Sequence, residues 1–266
     1  MIYDLQKASI MKRISAFLLD FVLMSIIITG SILLLYQITG YENFADKLNE
    51  RNAEIEAKYN IAQITQEYKI TVDSFQLLTE EERNALPEDV RDRLSNCILE
   101  RTTDNEYLNY LMILLNLMLL IISLSFFIAF LVLEFFVPLL LKNGQTVGKK
   151  VFSLGVVRID SVRINTFSLF VRAIIGKYTI GTMVPILMIF MILFETALII
   201  PVAILLLILL LQIIMIITTK TNSLIHDSIS STVVIDMQSQ MIFNSVEDLN
   251  AYKLRIHKED ANRSSY

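Results

Sequence analysis

The stretch KRISAFLLDFVLMSIIITGSILLLY, Lys12 to Tyr36, decides what kind of protein this is. After Lys12 and Arg13 its only charge is Asp20. A bilayer-spanning helix needs about 20 mostly apolar residues at about 1.5 Å rise each, so Ile14 to Tyr36 is long enough to cross. A carboxylate within such a helix costs roughly 2.5 to 3.5 kcal/mol on insertion scales, so it is paired, turned into the protein, or functional. A cleaved leader would have a shorter apolar core and an A-x-A-like site after it. No such site follows Tyr36, and the stretch contains Asp20, so it reads as an uncleaved first span.

Composition supports a membrane class. The chain is 54% hydrophobic, lacks Trp, and has a mean hydropathy of +0.56. Its apolar residues are gathered into blocks instead of following a strand or helix period. Tyr110 to Leu141 reads as one long, tilted span. Thr182 to Thr219 would form about 57 Å of helix, nearly twice the roughly 30 Å hydrocarbon core. Glu195 and Thr196 lie near its middle and Pro201 follows, which suggests two spans, about Tyr178 to Phe194 and Ile199 to Thr218, turning at Glu195. The alternative is one helix bent at Pro201, with neighbouring helices satisfying the freed carbonyl.

Orientation follows from where Lys and Arg fall. Lys7, Lys12 and Arg13 precede the first span against Asp4 alone, and Lys142 to Gly181 holds Lys142, Lys149, Lys150, Arg158, Arg163, Arg172 and Lys177 against Asp160. Both read as cytoplasmic. The loop 37–109 carries Lys47, Arg51, Lys58, Lys69, Arg83, Arg91, Arg93 and Arg101 against about twice as many acidic residues, and reads as external. Four spans return the tail to the cytoplasm, whereas three leave it outside; the tail's mixed charges do not decide.

The 37–109 loop is polar and helix-prone. Thr79 before Glu80, Glu81 and Glu82 is an N-cap signature, and Pro87 suits a further helix start. Its acidic balance argues against nucleic acid, so its reading is a solvated helical insertion or a grip for a membrane-protein partner. Gly144-Gln145-Thr146-Val147-Gly148-Lys149-Lys150 fails the phosphate-loop spacing and lacks Ser or Thr after the Lys, so it reads as a membrane-surface turn. There Gly144 and Gly148 give backbone freedom, while Lys149 and Lys150 face anionic headgroups. Gly155 to Ile159, Val162 to Ile164 and Ser231 to Ile235 are β-branched strand candidates, expected to pair as one small cytoplasmic sheet.

Lys12-Arg13-Ile14 to Asp20, the Gly144 to Lys150 turn running into a Val-rich strand, Val171-Arg172-Ala173, and His226-Asp227 leading into Ser231-Thr232-Val233-Val234 resemble the RDD family of small bacterial membrane proteins. The family is named for one Arg and two Asp residues, which map onto Arg13, Asp20 and Asp227. The resemblance covers about residues 7 to 36 and 110 to 236. It implies a multi-pass protein of the bacterial cell membrane, and cation/proton exchange in the manner ascribed to some RDD-type proteins.

The residues allow a physical reading beside it. Arg13 and Asp20 are about 700° of helix apart, nearly on one face, but separated by roughly 10 Å along the axis. Asp227 is placed to meet Arg13, leaving Asp20 to a water, a cation or a polar partner such as Gln212. Such charges either pin the first helix to the tail or, on the transport reading, Asp20 and Glu134 alternately bind a proton and a cation. Glu134 also reads as a carboxylate snorkelling near the cytoplasmic end of its helix. Four spans are few for a monomeric carrier, which implies a homo-oligomer in the bilayer. The competing class is a non-enzymatic adaptor or assembly factor.

Enzyme chemistry has little to build on. His226, His257 and Cys97 are too few for a Cys/His metal site or an internal disulfide, no serine sits in a nucleophile elbow, and no cofactor is implied. The expected architecture is an all-α integral membrane protein with four transmembrane helices, a helical extracytoplasmic insertion and a small cytoplasmic β element. Its parts are the first span within 7–36, the insertion 37–109, the second span 110–141, a basic segment 142–177, a transmembrane hairpin 178–219, and the tail 220–266.

Overall fold

A computed structural model describes residues 8–193, 199–219 and 223–263. It contains helices α1 (Ile10–Ile38), α2 (Tyr41–Lys58), α3 (Ile61–Tyr68), α4 (Val72–Leu77), α5 (Glu80–Asn84), α6 (Glu88–Thr103) and α7 (Asn105–Leu141). Then come α8 (Val147–Val151), β1 (Leu154–Arg158), α9 (Thr166–Ile189), α10 (Ile199–Thr218), α11 (Ile225–Ile229), β2 (Thr232–Asp236) and α12 (Val246–Arg263).

Four of these, α1, α7, α9 and α10, are long and apolar enough to cross a membrane. Their large apolar side chains point outward: Phe17 is 64% exposed and Ile26 63%. A helix that is apolar all round belongs in lipid, not at a water-facing surface. The chain is therefore a multi-pass membrane protein.

The third span differs from the sequence reading, beginning at Thr166 where Tyr178 was expected. Asn165 caps it, its side chain accepting the Ser168 N–H at 2.7 Å. The helix thereby carries Arg172 and Lys177, two charges that read as loop residues because their carboxylate partners lie far away in sequence. Much of it, Val171–Met183, is wound as π-helix, as is Leu131–Phe136 within α7. The expected turn at Glu195 lies outside the described residues.

The chain divides into two compact units, Gly30–Ser125 and the remainder. In Gly30–Ser125, helices α2 to α6 enclose Ile55, Ile61, Ile64, Val72, Phe75, Val90, Leu94 and Cys97. Each large side chain so buried is worth roughly 1.5 to 3 kcal/mol, so the insertion has a core of its own. Thr71 and Thr79 both form capping boxes, the second as its sequence predicts. Buried Arg101 pairs with Glu56 and with Asp73 at 3.0 Å, and Arg51 holds Asp104 through two bonds of 2.5 and 3.1 Å. That pairing lowers the Asp104 carboxyl to about 2.

In the other unit, β1 and β2 pair antiparallel with Val156 opposite Val234. Leu154, Val156 and Val234 pack against Ala8 and Ala16, while Val157, Val233 and Ile235 form a second cluster. The expected middle strand, Val162 to Ile164, does not join as a full strand. Asp160 accepts the Val162 N–H at 3.2 Å and Ser161 takes φ 64°, turning the chain so that Val162 and Arg163 make only single bridges.

Candidate functional site

Asp20 is buried, and both of its oxygens are taken. Oδ1 accepts the Gly148 backbone N–H at 2.7 Å, and Oδ2 accepts the Thr146 hydroxyl. The membrane-surface turn of the sequence reading is therefore the socket for Asp20, which does not use Gln212. Glycine at 148 is required by this approach: a Cβ there would lie 2.9 Å from Asp20 Oδ1 and run into the Ala16 carbonyl. Gly144, at φ +60°, turns the chain into the socket, and Gln145 ties it to β1 by donating to the Leu154 carbonyl at 2.7 Å.

Asp227 is wholly buried and meets Arg13 at 3.2 Å, the partner that its place just beyond the last span suggests. Its second cation, Arg172, was not assigned a role from sequence. Arg172 Nη1 bonds both Asp227 Oδ1 and Thr232 Oγ1, the latter at 2.6 Å, and the Leu224 N–H donates to Asp227 Oδ2 at 3.1 Å. Burial pushes the Asp227 carboxyl up, but Arg172 and Arg13 together with the Leu224 N–H hold it well below the usual carboxylate range. His226 packs onto α9, where a Cβ on Gly176 would lie 2.8 Å from its Cα. Burial holds the His226 imidazole well below its ordinary value, and hence neutral. Lys12 adds a bond of 2.7 Å to Asp236 at the end of β2.

Glu134 belongs to a separate cluster. It is buried on the π-helical turn of α7, ion-paired to Lys177 on the π-helical part of α9, with Lys149 Nζ at 3.9 Å. It does not snorkel. Lys149 turns inward, contrary to the expectation that both lysines face headgroups; only Lys150 is exposed. Burial first, then the like charge of Lys177, lowers the Lys149 ammonium to about 7 against the pull of Glu134. Single π-helical turns within α-helices are frequent at functional positions, and Glu134 lies on one of them.

A cleft of about 530 Å³ opens along α1 and reaches both clusters. Its walls include Phe17, Phe21, Met24, Phe126 and Phe130, and Glu134, Lys149 and Lys177 are among its polar lining. The presence of buried charge was legible, since charges in apolar helices need partners; the identity of the partners was not. Among the described residues no group of three or more His, Cys, Asp or Glu could hold a metal ion.

Fold and site together define a multi-pass membrane protein whose first span is tied by Arg13 to buried Asp227 just before β2 and by Lys12 to Asp236 at the end of that strand. The model of the RDD family matches residues 7–231, and the chain belongs to that family. No curated protein and no solved structure matches it.

Proposed function

We propose that this chain is a proton-coupled membrane carrier whose titrating centre is the Glu134–Lys149–Lys177 cluster. The observation that carries the reading is the cleft, which runs from apolar walls among the spans to a buried carboxylate and two lysines. Intramembrane ionisable groups facing a cavity mark ion and proton paths. A Lys149 that titrates near 7 exchanges its proton with small changes of charge around it. A cation settling on Glu134 expels that proton; an anion settling beside Lys177 draws one in. Either event couples cargo to protons.

Asp20 has a different part in this reading from the one its family resemblance implies. With Thr146 and Gly148 on its oxygens it holds the turn that carries Lys149, and so acts as a positioning residue. The Lys and Arg distribution favours a cytoplasmic N-terminus and sheet in a bacterial cell membrane. The test is proton flux into proteoliposomes under imposed ion gradients, with Glu134→Gln and Lys149→Met beside the parent protein. Flux that survives both substitutions in folded protein would refute the reading.

A second reading, a non-enzymatic adaptor, is favoured by the insertion. Gly30–Ser125 has its own core and keeps Leu77 87% and Leu99 61% exposed, as a surface that grips a membrane-protein partner would. Deleting residues 41–103 would then abolish partner capture while leaving the spans folded; unchanged capture would count against it.

A further inference from the structure

Charge and shape at the cleft narrow the cargo. The cations lining it are Arg13, Lys149, Arg172 and Lys177, whereas the lining carboxylates are Asp20 and Glu134. Asp227 answers Arg13 and Arg172, and Asp20 is held by Thr146 and Gly148. What remains is Glu134 between two lysines. With Lys149 neutral, Lys177 and Glu134 cancel. A cation added there leaves uncompensated positive charge in a low-dielectric site, which is costly. An anion arriving with one proton, which Lys149 takes up, leaves the cluster neutral. The groups facing Lys149 are Lys177 and Arg172 from α9, Glu134 from α7 and Asp20 from α1. Only two of them are carboxylates, and both already have donors.

Shape agrees with charge. A dehydrated divalent cation is usually held by several carboxylates, and among the described residues no group of three or more His, Cys, Asp or Glu could hold a metal ion. The walls are apolar and aromatic, and about 530 Å³ lies within the usual range of small-molecule sites.

We infer that the cleft binds an amphiphilic anion, a carboxylate or phosphate ester on an apolar tail, whose head sits between Lys149 and Lys177 and which enters together with one proton. The bound pair is the anion beside a protonated Lys149, so one bulk proton is consumed per anion. This deepens the carrier reading and rests on it for transport; binding is separately measurable.

The experiment is proton uptake by the full chain in a neutral detergent at pH 8, in weak buffer with a pH indicator. The probes are decanesulfonate, whose head does not titrate there, and decyltrimethylammonium. The expected result is uptake of about one proton per bound sulfonate and none with the ammonium. Lys149→Met should abolish the uptake. Met24→Trp, which fills the apolar wall and leaves the charges intact, should weaken sulfonate binding by about tenfold or more. Proton release on adding the ammonium, or no uptake with the sulfonate, would overturn the inference. Nanodiscs of phosphatidylcholine with or without phosphatidylglycerol distinguish the source: phosphatidylglycerol that pre-empts the sulfonate response identifies a lipid headgroup, and an unaltered response identifies a free amphiphile. Uptake without flux in proteoliposomes would leave the ligand assignment standing and remove the carrier reading. Cation-driven flux without sulfonate binding would do the reverse.

Discussion

The Gly148 N–H donates to Asp20 Oδ1 at 2.7 Å, across a contact so close that a Cβ at 148 would sit 2.9 Å from the same oxygen. This bond makes the carboxylate of the first span part of the socket that begins α8, and so fixes where Lys149 points. The intramembrane charge, read from sequence as needing a water, a cation or a polar partner, is answered by the Gly148 backbone and the Thr146 hydroxyl.

Gly148→Ala should therefore destabilise the folded protein by roughly 1 to 3 kcal/mol, the usual cost of overpacking. Gly30→Ala is the control, since nothing lies within 4 Å of a Cβ there. Thermal unfolding in detergent reads both. Equal midpoints for the two variants would contradict the close approach.

Asp20→Asn keeps one acceptor and loses the charge, and should cost roughly 1 to 3 kcal/mol. The folded fraction should still carry protons, because Glu134 and Lys149 are intact. Loss of flux at an unchanged melting temperature would place Asp20 on the proton path after all.

Asp227→Asn leaves Arg172 buried and Arg13 half-buried against a neutral side chain, which on the precedent of broken buried pairs costs about 3 to 5 kcal/mol. The yield of folded protein should fall more than for Asp20→Asn. A variant as stable as the parent would show that the arginines find other partners.

Lys149 gives the stability a sign with pH. Its folded value of about 7 lies below the ordinary 10.5, so between these limits the unfolded chain binds more protons than the folded one. Stability from this group must then rise as pH rises through that window. Melting temperatures measured from pH 7 to 10 should increase, and Lys149→Met should flatten the slope. A parent slope that is flat or falls, with the variant's identical, would mean that Lys149 is solvated.

The insertion should fold alone. A fragment of residues 41–104 keeps the eight-residue core cluster and the Arg51–Asp104 pair. Circular dichroism should show cooperative helix loss on heating, and Leu94→Ala should cost about 2 to 5 kcal/mol. A non-cooperative melt would make the adaptor reading untenable in its present form.

Much of this architecture was legible in the sequence because the bilayer forces it. Ile14 to Tyr36 had to be a span, and Asp20 within it had to have a partner. The Asp227–Arg13 pair was legible because the family resemblance singled out both residues and Asp227 follows directly on the last span. Arg172 was missed as the second cation, and Lys149 was read as facing headgroups, because their partners lie far off in the chain. No local pattern distinguishes a lysine at a headgroup from one folded back onto Glu134. The start of the third span at Thr166 was hidden for the same reason: Arg172 and Lys177 look like loop charges until Asp227 and Glu134 are brought beside them.

The most direct test is proton flux in proteoliposomes carrying the parent protein, Glu134→Gln, Lys149→Met and Asp20→Asn at matched folded fractions, under imposed gradients of inorganic cations and of an amphiphilic anion. The account predicts flux in the parent and in Asp20→Asn, and none in Glu134→Gln or Lys149→Met. No flux in folded parent protein, or flux that persists in both cluster variants, would contradict it.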